Sequence, residues 1–376
     1  MNREQSGSEK LLRIIRERIE ERGDRAISFC EYMDLCLYHP DYGYYMKEKT
    51  KIGRDGDFYT SASIGSLLGE ILAEHVRSIA PDTQSPFWLT EWGGGSGILA
   101  LHVLNALKLS SPDLYDRLQY VSIEASPYHR KLQAETLADH AGRVRWLKED
   151  EWVKEGPWND SVVFSNELAD ALPVHRIAYR EDGWLESFVT WDDAAQTLTE
   201  REMPLTDRTL REFVTKERMP QREGQRFEVG LAAVGWLKKA AEGLGQRAEI
   251  ITIDYGDARE ELYAPHRMNG TLLCYRKHQA YDMPLLYPGE QDMTSHVNFS
   301  ALIDVGRESG LGQYRFMTQK QFLVENGLLT GLQQHDALDP FSPAAKRNRA
   351  IRQLLLSDQM SELFKVLVQK KGEPLS

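Results

Sequence analysis

Leu11, Leu12, Ile14, Ile15 and Ile19 recur at the spacing of one helical face, which predicts an amphipathic helix near the N-terminus. An aromatic stretch at 29–45 follows, broken by the turn-forming pairs His39-Pro40 and Tyr42-Gly43. Core packing is its expected role, ahead of a partner contact. Residues 64–79 return to helical spacing. From residue 87 short apolar runs alternate with helical stretches. Residues 87–89, 120–124, 144–147, 161–165 and 249–254 read as strands, and 98–107, 128–140 and 230–241 as helices. That alternation predicts parallel βαβ units and a doubly wound α/β sheet, with one antiparallel strand at its edge. Residues 176–228 interrupt it. The stretch 175–200 alternates around Asp182-Gly183, a hairpin signal, and 205–228 is charged and reads as helix. The expected layout is a helical and loop extension over 1–85, a core over 86–175 and 229–335, an insertion over 176–228, and a helical tail over 336–376. Pro343 suits a first helical turn in that tail.

Charge and cysteine content narrow the classes. The 376 residues carry 46 Lys and Arg against 57 Asp and Glu, a formal charge of −11. Such acidity argues against sequence-independent nucleic-acid binding, which needs cations facing phosphates. Cys30, Cys36 and Cys274 make neither a disulfide framework nor a CxxC knuckle, and no zinc-like ligand spacing occurs, so no metal is expected. The first 23 residues hold no apolar core of signal-peptide length, and their glutamates do not suit a transit peptide. No run approaches the roughly 18 apolar residues of a membrane span. These features predict a cytoplasmic protein with neither membrane nor nucleic-acid partners.

The chemistry concentrates at Glu91-Trp92-Gly93-Gly94-Gly95-Ser96-Gly97, between the first strand of the core and a helix. Gly93, Gly95 and Gly97 let the backbone approach a nucleotide cofactor where side chains would block it. Glu91 closes the strand, and Glu124 closes the next one, where a carboxylate can accept two ribose hydroxyls. Two chemistries satisfy the loop equally. One is S-adenosylmethionine (SAM) binding; the other is the GxGxxA dinucleotide fingerprint, met by residues 95–100.

Flanking segments separate them. Residues 27–33, Leu37-Tyr38-His39-Pro40-Asp41-Tyr42-Gly43-Tyr44-Tyr45, Gly56-Asp57-Phe58-Tyr59-Thr60-Ser61, the glycine loop, Ser165-Asn166-Glu167-Leu168-Ala169-Asp170-Ala171-Leu172-Pro173-Val174, Ile253-Asp254-Tyr255-Gly256, 270–278 and 288–299 occur in this order. Together they resemble the MidA-like family of SAM-dependent methyltransferases over roughly residues 11 to 330. The resemblance implies a class I, Rossmann-like methyltransferase core with a mostly parallel sheet, an N-terminal helical extension and an inserted substrate-recognition region. It implies SAM as cofactor, and Asp57 and Thr60 in a segment that folds over it. Mitochondrial members assist respiratory complex I assembly by methylating an arginine of a core subunit, so a protein arginine is the implied acceptor. A homodimer stays open. The chain departs from the family in reading Gly93-Gly94-Gly95 for Gly-Pro-Gly, Leu168-Ala169 for bulkier residues, and Asn298 for a common aspartate.

Ligands of open α/β sheets sit beyond the carboxyl ends of the strands. Asn166, Glu167 and Asp170 follow the fourth strand and are expected to border the acceptor. A guanidinium stays protonated and is a poor nucleophile; Glu167 would grip it and localise its charge. The alternative is that Glu167 and Asp170 cap a helix. His278 is a candidate general base near neutral pH. Rival functions are a methyltransferase for a small molecule or another residue type, a dinucleotide oxidoreductase, and an assembly protein that retains the fold without turnover.

Overall fold

The computed structural model describes residues 3–48, 62–181, 183–333, 339, 342–356 and 362–372. The chain forms two compact units. One comprises Thr60–Leu168, Trp236–Tyr255 and Ile303–Ser376 and the other Met1–Tyr59, Ala169–Gly235 and Gly256–Leu302.

The first unit is built on seven strands: β1 (Phe87–Trp92), β2 (Leu118–Ile123), β3 (Val144–Leu147), β4 (Ser161–Asn166), β5 (Ala248–Asp257), β6 (Gln313–Thr318) and β7 (Phe364–Lys371). Their order is β3-β2-β1-β4-β5-β7-β6. The pairings among β3, β2, β1, β4 and β5 are parallel, whereas β7 runs antiparallel to both β5 and β6. Parallel strands are covered on both faces, so they need near-continuous apolar sequence. β2 and β4 are buried along almost their whole length. Helix α1 (Ile98–Ser110) buries Ala100, Val103, Leu104 and Leu107, one helical stripe, into the same core as Leu89, Val162, Ile251 and Val366. Helix α2 (Pro127–Thr136) starts at Ser126, whose hydroxyl accepts from His129 N.

Two expectations change here. The antiparallel strand lies next to the edge, not at it. And the tail is only partly helical: helix Pro343–Leu356 is followed by β7, which pairs on both sides and buries Val366, Leu367 and Val368. Pairing on two edges decides the conformation of a segment whose own pattern is short and flanked by lysines.

The second unit carries an antiparallel sheet of Ala26–Ser28, His175–Arg180, Gly183–Asp192, Thr197–Pro204 and Arg226–Val229. The hairpin signal is realised by His175–Arg180 and Gly183–Asp192, although Asp182 lies outside the described residues. Helix Arg208–Lys216 occupies the charged stretch, capped by Asp207. The N-terminal segment holds more than helix, because Ala26–Ser28 adds a strand to this sheet. Helices Arg3–Glu21 and Phe29–Tyr38 pack Leu11, Ile15, Ile19, Phe29, Tyr32 and Met33 together with Val174 and Val189. The aromatic stretch is mostly core. Tyr32 and Tyr44 are buried, Tyr38 donates to Ala171 O at 3.1 Å, and Tyr45 donates to the buried Asp292 carboxylate at 2.7 Å.

The cysteines differ sharply in setting. Cys36 and Cys274 are buried, and burial pushes both thiols up to about 12. Cys30 is half-buried. Since thiolates are the reactive form, iodoacetamide should alkylate Cys30 in the folded protein and reach Cys36 and Cys274 only after denaturation. Equal labelling of all three by mass spectrometry would contradict this packing.

Candidate active site

The glycine loop leaves β1 at its carboxyl end and enters α1. Gly97 caps α1 with φ 79°, a left-handed conformation, and a side chain there would press on Gln133 Cγ at 3.1 Å and on its backbone. Gly95 has φ 51°, and a Cβ built on it meets nothing within 4 Å. The loop therefore presents bare backbone to open space at Gly95, the cradle a nucleoside cofactor requires. Gly93 is held by its N–H to Ile123 O at 2.9 Å, which fastens the loop to the end of β2.

Glu91 is 3 % exposed and accepts a short hydrogen bond from the Tyr120 hydroxyl. Burial lifts its carboxyl to about 7; the Tyr120 hydrogen bond opposes the rise and Glu124 adds to it. Glu124 sits just past β2, also buried. Its Oε1 accepts from Ser126 N at 2.8 Å, and its Oε2 lies 3.5 Å from Gln133 Nε2. Glu124 and the open loop face belong to one end of the same sheet, and both fit the residues SAM needs. A carboxylate suits the ribose hydroxyls, and bare peptide suits the methionine portion.

Beyond β4 the backbone is strained. Glu167 has φ 51°, uncommon for a residue with a side chain. It is held there by Glu167 N to Ile253 O at 3.0 Å and by Leu168 N to Asp254 Oδ2 at 3.2 Å. Asp254 is fully buried and also accepts from Tyr255 N at 2.8 Å. Asn166 Nδ2 donates to Glu167 Oε1 at 3.2 Å. Glu167 is exposed at the carboxyl end of the strand. Partial desolvation raises its pKa from the ordinary carboxylate value, against the pull of the Asn166 amide.

No helix follows β4. Residues 167–172 form bends and a turn, so the helical pairing of Glu167 with Asp170 is not realised, nor is a capping role for either. Asp170 is buried, and its carbonyl accepts from Ser295 N at 2.9 Å. His278 is exposed. With Lys277 it forms the two-residue turn between strands Leu273–Arg276 and Gln279–Tyr281, at φ 51° and 61°, the conformation that tight hairpins demand. Nothing in that setting aims His278 at a proton-transfer task. Asp57 and Thr60 lie outside the described residues. Gln133, which contacts the glycine loop and Glu124, and Asp254, which holds Leu168 N, were not singled out by sequence reasoning. Among the described residues no His, Cys, Asp and Glu group could hold a metal ion, and no helix is long and apolar enough to cross a membrane.

Dinucleotide-binding sheets of the same type run 3-2-1-4-5-6. Here antiparallel β7 stands between β5 and β6. With a glycine loop after β1 and a buried acid after β2, this defines a class I SAM-dependent methyltransferase. A model of a family of S-adenosyl-L-methionine-dependent methyltransferases matches residues 67–317, and the chain belongs to that family. A crystal structure from Burkholderia thailandensis bound to S-adenosyl-homocysteine matches with a TM-score of 0.85 and 31% identity, over 98% of this chain and 94% of that one. The Drosophila melanogaster protein arginine methyltransferase NDUFAF7 homolog is 30% identical over 81% of this chain and 72% of its own length. Human protein arginine methyltransferase NDUFAF7 is 26% identical over 85% of this chain and 73% of its own. These findings settle the cofactor as SAM. They also overturn the cytoplasmic expectation, because these curated relatives are named as mitochondrial proteins.

Proposed function

We propose that this protein transfers the methyl group of SAM to a guanidinium nitrogen of an arginine in a partner protein. The observation that carries the reading is Glu167, an exposed carboxylate fixed in a strained, left-handed conformation at the carboxyl end of β4. The arginine methyltransferases among the relatives supply the acceptor class.

SAM supplies an electrophilic methyl group on a sulfonium. The chain's own part is binding and alignment, and alignment alone is worth several kcal/mol. Glu124 would accept the ribose hydroxyls, while the backbone of Gly93, Gly95 and Gly97 would border the methionine portion. Glu91 supports the loop from beneath. Glu167 would hold the guanidinium by charge-assisted hydrogen bonds, localise its charge, and receive the proton that the nitrogen sheds as it is methylated. A raised carboxyl pKa makes it a better acceptor for that proton. Asn166 steadies it, and Asp254 holds the turn. Asp170 and His278 have no part in this scheme.

The test is transfer of labelled methyl from SAM to the proteins of a strain lacking this gene, followed by mass spectrometry of the modified residue. Methylarginine dependent on the added enzyme is the expected product. Label on another residue, or on a small molecule only, would replace the acceptor assignment.

A further inference from the structure

Gln133 is an unusual helical residue. It is 1 % exposed, and it is the buried residue of α2, whose other face is polar. All of its hydrogen-bonding capacity is turned toward the cofactor end of the sheet. Its Oε1 accepts from Trp146 Nε1 at 2.9 Å and from Ser122 Oγ at 2.6 Å. An indole N–H can only donate, so it fixes which end of the amide is oxygen. The NH2 end must then face the opposite way, where it reaches Gly95 O at 3.0 Å and Glu124 Oε2 at 3.5 Å. One amide group thus spans the glycine loop and the ribose-binding acid, with its orientation locked from β2 and β3. Its stem also lies where a side chain at Gly97 would fall.

We infer that Gln133 is a positioning residue for SAM, setting the Gly95 peptide and the Glu124 carboxylate in one geometry so that the two ends of the cofactor are received together. A residue that only filled space would not need both amide ends engaged. A residue that contacted the cofactor would leave one end free for it. Gln133 does neither; it acts through Gly95 and Glu124. The inference deepens the methyltransferase site described above and rests on it.

Gln133→Glu is the sharpest probe. It keeps the oxygen that Trp146 and Ser122 donate to, and replaces the NH2 end by an acceptor facing a carbonyl and a carboxylate. Calorimetry with SAM should show Kd raised about 100-fold, since a buried hydrogen bond becomes a repulsion. At saturating SAM, kcat should stay within about threefold of the parent, because acceptor alignment is untouched. Gln133→Met, which loses both ends, should raise Kd about 10-fold and serves as the second variant if the glutamate disturbs the fold. Trp146→Phe, which frees the amide to turn over, should raise it about threefold, and should add little on top of Gln133→Met. If folded Gln133→Glu and Gln133→Met both bind SAM within about twofold of the parent, Gln133 is structural only and the inference fails. Failure of the parent itself to bind SAM would instead remove the cofactor site on which it rests.

Discussion

Glu167→Gln should bind SAM as the parent does and lose methyl transfer by about 10²–10³-fold in kcat, the usual cost of removing one aligned electrostatic group. The substitution keeps shape and removes charge. The left-handed turn should survive it, because that turn is held by backbone contacts to Ile253 O and the buried Asp254 rather than by the Glu167 side chain. What disappears is the carboxylate that localises the guanidinium charge and takes its proton. An arginine left unpaired stays a diffuse cation and a poor nucleophile. The measurement is single-turnover transfer at saturating SAM, with SAM affinity measured in parallel. Unchanged turnover would remove Glu167 from the mechanism. A parallel collapse of SAM affinity would instead assign it to the cofactor side. Asp254→Asn, which weakens support of the same turn, should lower kcat in the same direction by a smaller factor.

Glu91→Gln should make the cofactor-free protein more stable at alkaline pH and leave it nearly unchanged in acid. Its buried carboxyl titrates at about 7 in the folded chain, against 4.5 ordinarily. Below the ordinary value both states hold the proton and burial costs nothing extra. Between the two values the unfolded chain has released the proton that the folded chain keeps. Stability therefore falls as pH rises, and the loss is complete once pH passes the folded value. At about 1.4 kcal/mol per tenfold change in acidity, the accumulated cost is about 3 kcal/mol. Gln never ionises and escapes it, while its amide oxygen still accepts from Tyr120. Urea unfolding near pH 4 and near pH 8 should show stabilities that agree at the first and separate by about 3 kcal/mol at the second. A constant difference across that range would mean that Glu91 does not titrate there. The same variant should bind SAM more weakly, because the cofactor's cationic groups favour an ionised Glu91 close to the loop. A group of this kind lowers stability in the empty protein and is retained for what it binds.

The central strands are legible from sequence for a physical reason. A parallel strand covered on both faces must be apolar along its length, and β1, β2 and β4 read that way. The glycine loop and its two acids are legible because close backbone approach and ribose binding each demand one residue type. Other parts carry no local signal. β7 is a short apolar core between lysines, and its strand state comes from neighbours on both sides. Ala26–Ser28 has three residues, too few for a period to show. Gln133 looks like any polar residue on a surface helix, and only the packing of α2 on the loop reveals its role. Asp254 stood inside a segment that carried the family resemblance, but its task, holding Leu168 N, depends on two strands meeting. The hairpin at Lys277-His278 carried no sign in the sequence, because it turns without the glycine or asparagine that usually marks one.

The central claim is that the glycine loop after β1 and Glu124 after β2 form one SAM site. Isothermal calorimetry of the purified protein with SAM and S-adenosylhomocysteine tests it most directly, with NAD as the competing ligand and Glu124→Ala as the variant. The expected result is saturable binding of both SAM and S-adenosylhomocysteine and none of NAD. Glu124→Ala should cost about 1.5–3 kcal/mol, a roughly 10- to 100-fold loss, as charge-assisted hydrogen bonds to the ribose disappear. Binding of NAD in place of SAM, or SAM binding indifferent to Glu124→Ala, would contradict the site as described.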